Sequence, residues 1–187
     1  MDSQGSLNAT AAAMLGLLSQ VGPINGNGLS SQADILIGDF WTMTRSQVYR
    51  ELKDLEKSGL VKGGPVGPRS SREFSITPTG EIALNSWLET GPPEEVIRFP
   101  ILLTIRFGSA LTPQRLRELL DEFQVRHRAK HEYYTQLNAD MTAANHDPFE
   151  IATVRFGLLF EATVASWLEE LPRIVPSLSS DIEHEQP

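Results

Sequence analysis

Apolar residues recur every three or four positions from Leu7 through Ala11, Met14, Leu15 and Leu18, with Val21 behind them. That spacing predicts an amphipathic helix, which Gly22-Pro23 stops. Asn25, Asn27 and Gly28 read as a loop, and Leu29, Ala33, Leu36 and Ile37 predict a second helix over 29–37, ending near Gly38. The third pattern is sharper. Thr44 with Gln47 three residues later predicts a capping box. At 100° per residue, Val48, Leu52 and Leu55 fall within about 60° of one another and predict an inward face. Ser46, Arg50, Lys53 and Lys57 cluster on the opposite side, flanked by Gln47 and Tyr49, and Ser58-Gly59 predicts a left-handed stop.

Beyond that stop, 60–62 and 72–76 are short β-type runs. The segment between them, Gly63-Gly64-Pro65-Val66-Gly67-Pro68-Arg69-Ser70-Ser71, is too rich in glycine and proline for a helix or a central strand. The pattern predicts a hairpin with a long basic tip. Thr77-Pro78-Thr79-Gly80 turns the chain into a fourth helix over 81–88, and Gly91-Pro92-Pro93 is the strongest linker signal.

The second half is helical. Residues 99–107 form a short apolar segment, and Thr112-Pro113 opens a pattern of about 30 residues without a breaker. Its seam runs through Leu116, Leu120, Phe123, His127, Tyr134, Leu137 and Met141 at close to heptad spacing. Asp147-Pro148-Phe149-Glu150 starts a last helix that is expected to end at Pro172. With Ile151, Val154, Phe156, Leu158, Leu159, Phe160, Val164, Trp167 and Leu168, it is apolar on most sides, so it is expected to be buried. Its extra face, and the long seam, are expected to meet a second protomer, with Leu116, Leu120, Phe123, Tyr134, Leu137, Met141, Ile151, Leu158 and Leu159 as dimerisation residues. The polar tail from Pro176 is expected to be disordered.

Composition narrows the class. The 187 residues are 40% hydrophobic and 21% charged, enough apolar material for a core. No apolar run approaches the roughly 20 residues of a membrane span. Met1–Asn8 is polar with an acid at Asp2, so no secretory signal is expected. The absence of cysteine removes disulfides and thiolate chemistry. A cytoplasmic protein with no membrane partner is expected.

The net charge of −8 argues against a nucleic-acid partner until it is divided. Residues 89–187 carry 9 Lys/Arg against 16 Asp/Glu, whereas 44–74 carry 7 against 4. A polyanion responds to the local field, so one basic segment is sufficient.

Three helices and a basic hairpin form a winged helix-turn-helix. The fold expected is mainly α with a small β-hairpin wing. It comprises an N-terminal winged helix-turn-helix domain (1–90), a C-terminal helical dimerisation domain (91–175) and a tail (176–187). Arg50, Lys53 and Lys57 would enter a major groove of double-stranded DNA, and Arg69 and Arg72 would lie along phosphate or in the neighbouring minor groove. Thr44, Arg45, Ser46, Gln47, Tyr49 and Ser71 complete the candidate DNA-binding set.

Other constellations are weaker. His127 and His131 stand four apart, as metal ligands on one helix face would, but no third ligand is fixed; seam or surface histidines, and no metal, are expected. Trp87 and Trp167 are candidate effector contacts by stacking, although core packing explains them more simply. No Ser/His/Asp arrangement, carboxylate pair or phosphate loop is found, so neither an enzyme nor a cofactor is expected.

Phe40-Trp41, the run from Ser46-Gln47-Val48-Tyr49-Arg50 to Ser58-Gly59-Leu60-Val61, and Arg72-Glu73-Phe74-Ser75-Ile76-Thr77-Pro78-Thr79-Gly80 together resemble the PadR family of transcriptional regulators. Leu15-Gly16-Leu17-Leu18 through Gly22-Pro23 agrees, and the resemblance covers about residues 7–172. It implies a homodimeric DNA-binding repressor whose affinity for an inverted-repeat operator is modulated by a small molecule. Tyr49 matches the family's tyrosine in the recognition helix, and Arg50 and Lys53 match the basic positions beside it. Asn27-Gly28 departs from the aromatic–acidic pair that usually opens the second helix. The alternative is a winged-helix adaptor whose basic face meets an acidic protein.

Overall fold

The computed structural model describes residues 7–36, 40–41, 43–67, 72–91 and 94–179, and only the backbone of Ile35 and Leu36. Ile37 and Gly38, Pro92-Pro93, the wing residues 68–71 and the tail beyond Ser179 therefore lie outside the described residues. The chain divides into two compact units between Glu95 and Val96.

The first unit begins with helix α1, Ala9–Val21, whose first turn is capped by the Asn8 side chain accepting from the Ala11 N–H at 2.9 Å. Gly22 ends it at φ 80°, in the left-handed region where glycine carries no Cβ penalty. A two-residue strand follows, β1 (Ile24–Asn25), and then helix α2, Gly26–Leu36. One sequence expectation is corrected here. Residues 26–28 are not loop but the first turn of α2, because the Asn25 side chain accepts from the Gly28 N–H and caps it. The expected hairpin is present as β2 (Val61–Val66) and β3 (Arg72–Ile76), and β1 adds a third strand to it in an antiparallel sheet of order β1-β3-β2.

Helix α3, Arg45–Lys57, carries the predicted capping box, with the Gln47 N–H on Thr44 Oγ1 and the Thr44 N–H on Gln47 Oε1. Its buried face is Val48, Leu52 and Leu55, which meet Met14, Leu15 and Leu18 of α1, Leu29 and Ala33 of α2, and Val61 and Phe74 of the sheet. Burying a Leu or Val side chain contributes about 1.5–3 kcal/mol, so this cluster fixes how α3 is held. Helix α4, Pro78–Glu89, starts three residues before its expected start, because Thr77 Oγ1 accepts from the Gly80 N–H and Pro78 suits the first turn. A Cβ on Gly80 would lie 2.1 Å from the Leu60 carbonyl oxygen, so this junction admits only glycine.

The second unit is built on a long helix pair. After short helix α5, Ile101–Arg106, and a 3₁₀ turn, helix α6 runs Pro113–Ala143 and helix α7 runs Pro148–Ile174. The 31 residues of α6 span about 46 Å. Leu116, Leu120 and Phe123 pack on Val164, Leu168 and Leu171, and farther along Tyr134 and Met141 pack with Val154. A Cβ at Gly157 would lie 2.5 Å from the Tyr134 ring, so the helices meet closely there.

Four expectations change in this unit. The seam residues Leu116, Leu120, Phe123, Tyr134 and Met141 are covered by α7 of the same chain, because a heptad seam does not specify whose helix fills it. Leu137, Ile151 and Leu158 are half-buried beside them. Helix α7 is not buried all round: Phe149 is 84% exposed, and Phe156 and Leu159 are also exposed. It also passes through Pro172 to Ile174, since that proline removes one N–H near the end while the Val175 N–H still reaches the Leu171 carbonyl. Finally, Pro176–Leu178 is a 3₁₀ turn rather than the start of a disordered tail, with Leu178 buried and Arg117 donating to the Ser177 carbonyl. By length and composition alone α7 could cross a membrane. Here one side of it packs along α6.

Candidate nucleic-acid interface

The buried face of α3 determines what the other face presents. With Val48, Leu52 and Leu55 held inward, Thr44, Arg45, Ser46, Gln47, Tyr49, Arg50, Lys53 and Lys57 are all exposed. Among the described residues, none of Arg45, Arg50, Lys53 and Lys57 is held in an ion pair. The result is a cationic stripe on a rigidly seated helix, with donors free to address an external polyanion.

Tyr49 is differently placed. It is 46% exposed, and its ring lies over Gly26: a Cβ there would come within 2.6 Å of Tyr49 Cε1. The first residue of α2 thus forms the seat on which the tyrosine leans, a role that sequence reading missed. The signal was present in the adjoining Gly26-Asn27-Gly28, read as loop. Gly28 serves the same corner, since a Cβ on it would meet the Ile24 side chain at 2.7 Å.

Of the wing residues, Arg69 and Ser71 lie outside the described residues. Arg72 does not project freely. Nη1 and Nη2 donate to Glu56 Oε2 and Oε1 at 2.8 and 2.6 Å, Nε donates to the Gly64 carbonyl at 2.9 Å, and Nη2 also reaches the Gly63 carbonyl at 3.2 Å. The guanidinium stands 5.5 Å from the Phe74 ring centroid. Glu56 Oε1 accepts from the Gly63 N–H as well. Hydrogen bonding from Arg72 chiefly holds the Glu56 carboxyl below its ordinary range, against partial desolvation and helped by the Gly63 N–H and the guanidinium charge. Glu56 is one of the four acids of residues 44–74, and its position in the sequence does not mark it out from the others.

The remaining candidates separate. Trp87 is half-buried on α4 in the first unit, and Trp167 is half-buried against the core of the second. His127 is inside the second unit, its Nδ1 2.5 Å from Oε2 of the buried Glu161 and its ring 4.1 Å from that of Phe123. His131 is half-buried. Among the described residues no three His, Cys, Asp or Glu side chains gather as a metal site would require. A half-open cavity of about 370 Å³ lies in the second unit between Ile105, Leu111, Leu116 and Val175.

Comparison with known proteins bears on both units. Residues 14–86 match the transcriptional regulator PadR-like family, and residues 97–174 match the virulence activator alpha C-terminal family. The negative transcriptional regulator PadR of Bacillus subtilis (strain 168) is 27% identical over 171 residues, covering 85% of this chain and 93% of the relative. The crystal structure of Bacillus subtilis PadR in complex with operator DNA has a TM-score of 0.76 at 24% identity, covering 89% of this chain and 99% of that one. PadR of the same organism in complex with p-coumaric acid gives 0.69 at 23% identity, covering 93% and 99%. The solved structures show the shared fold, and the family matches follow the order of its two units. Over residues 14–86 the chain is similar to the PadR-like family of transcriptional regulators.

Proposed function

We propose that this chain is a sequence-specific DNA-binding repressor that acts as a homodimer in the cytoplasm and binds an inverted-repeat operator. The observation that carries the reading is the cationic face of α3, with Arg50, Lys53 and Lys57 exposed directly opposite the buried Val48, Leu52 and Leu55. In that arrangement Arg50 and Lys53 address base edges, Lys57 and the α3 N-terminus around Thr44–Gln47 address phosphate, and Tyr49 leans on Gly26 beside them. Arg69 and Ser71 extend the phosphate contacts on the wing. The operator complex of Bacillus subtilis PadR supports this assignment.

The dimer forms through the outer face of α7. At 100° per residue, Phe149, Phe156 and Leu159 fall within about 80° of one another, on a different side from Val154, Gly157, Glu161 and Val164. The p-coumaric acid complex of the relative supports a small-molecule effector for this chain, with either Trp87 or Trp167 as a stacking candidate.

Duplex binding measured between about 50 and 200 mM salt tests the reading. A steep loss of affinity is the counterion-release signature, and preference for one recovered sequence over its scrambled form shows readout. Equal, weak binding to both duplexes would favour the adaptor. Release of the bound duplex on adding p-coumaric acid, at a concentration that leaves the fold unchanged, tests the effector.

A further inference from the structure

We infer that Glu56 and Arg72 form a clamp that sets the position of the wing against the recognition helix, so that Arg72 serves operator recognition as a positioning residue and not as a phosphate ligand. The inference rests on the DNA-binding reading above and assigns one of its residues a different role.

The geometry is specific on three counts. First, a guanidinium has five N–H donors in a fixed fork, and four of those on Arg72 are directed inward, two to the Glu56 carboxylate and two to the Gly63 and Gly64 carbonyls. At most one remains for a phosphate. Second, the carboxylate ties both wing strands at once, because Glu56 accepts from the Gly63 N–H of β2 and from Arg72 of β3. It does so from the last turn of α3, one residue before the exposed Lys57, so the clamp joins the two elements expected to touch DNA. Third, the bond sits where β2 is irregular: its pairing with β3 shifts register between Gly63 and Val66, and Arg72 pairs with Val66. A strand that leaves regular pairing there needs another restraint on its direction, and the ion pair supplies one.

The charges add a consequence. Arg72 and Glu56 sum to zero, so the pair adds little to the field that attracts phosphate. Its contribution lies in fixing the wing and α3 as one surface before binding, which avoids ordering them during binding.

The test uses the full chain and a duplex recovered by that chain from a randomised pool, beside a scrambled duplex of the same composition. Arg72→Lys keeps the charge and loses the fork, and Glu56→Gln removes a negative charge that opposes DNA. If the clamp positions the wing, each variant loses about tenfold affinity for the recovered duplex and little for the scrambled one. The slope of log affinity against log salt stays at the wild-type value for Arg72→Lys, and the double variant is no worse than the weaker single. Retained binding to the scrambled duplex and a cooperative melt show that the variants are folded. If Arg72→Lys binds as wild type does while Arg72→Ala flattens the salt slope by about one unit, Arg72 is a phosphate ligand and the clamp is overturned. A Glu56→Gln variant that binds the recovered duplex as well as wild type overturns it too. A wild-type chain with no preference for the recovered duplex overturns the DNA-binding reading and the clamp together.

Discussion

Arg50 and Lys53 face outward because Val48, Leu52 and Leu55 cannot, and the cationic stripe is the complement of a buried one on the same helix. Replacing either residue with Ala leaves that buried side untouched, so we expect an unchanged melting curve and a loss of about 1–3 kcal/mol in operator binding by gel-shift titration. Wild-type affinity in both variants would remove α3 from the interface. Tyr49 offers a finer experiment. A methyl group at Gly26 collides with the far edge of its ring, which can swing away at low cost, and α2 gains in helix propensity from Gly to Ala. Gly26→Ala is therefore expected to weaken operator binding severalfold while leaving stability within about 1 kcal/mol of wild type. Unaltered binding would show that the seated position of the ring does not matter to recognition. The removal of the hydroxyl alone, by Tyr49→Phe, then separates a hydrogen bond to phosphate, worth roughly 1 kcal/mol, from the packing of the ring on Gly26.

At the scale of elements, what was legible in the chain was whatever its own neighbours determine. The cap at Thr44, the inward triplet of α3 and the stop at Gly59 involve residues within a few positions, and the structure has them as read. Strand β1 was not legible, because two residues carry no periodicity and their partners, Phe74 and Glu73, come about fifty positions later. The inward turn of Arg72 was hidden for the same reason: its fork closes on Glu56, sixteen residues away, through the register of an irregular hairpin. Both features can be measured. Because Arg72 lowers the carboxyl of Glu56 in the folded chain, the charged form contributes stability above the ordinary carboxylate value near 4.5, and that contribution is lost as pH falls through the lowered value. The melting temperatures of wild type and Glu56→Gln are expected to differ at neutral pH and to converge in acid; a constant difference across the range would show that the bond does not depend on the charge. In the second unit, Gly157→Ala drives a methyl into the buried Tyr134 ring where α6 and α7 meet, so we expect a destabilisation of about 1–3 kcal/mol by thermal melting. No loss would show that the helices separate easily there.

For the whole molecule, the decisive quantity is the apolar surface that one copy leaves in water. The seam of α6 is filled by α7 of its own chain, yet Phe149, Phe156 and Leu159 remain exposed on the outer side of α7. Contiguous apolar surface beyond a few hundred Å² normally marks an interface. Periodicity could announce that surface and could not say which residues would supply it, since a heptad seam is satisfied equally by its own chain or a partner. We expect the full chain to sediment as a dimer, and Phe156→Glu with Leu159→Glu to yield a folded monomer, because both side chains are more than half exposed. A two-fold dimer carries two α3 helices, so the operator should contain inverted half-sites about one helical turn, or a small multiple of it, apart. Truncation after Thr90 keeps α4 whole, since that helix ends at Glu89, and should leave a folded monomer that binds a single half-site. Its affinity for the complete operator should fall steeply, because the second half-site no longer benefits from a tethered partner at high effective concentration. Sedimentation of the full chain, the double variant and residues 1–90, beside half-site and full-site titrations, decides the matter: a monomeric full chain, or a truncation that holds the whole operator as tightly, would show that recognition needs only one copy.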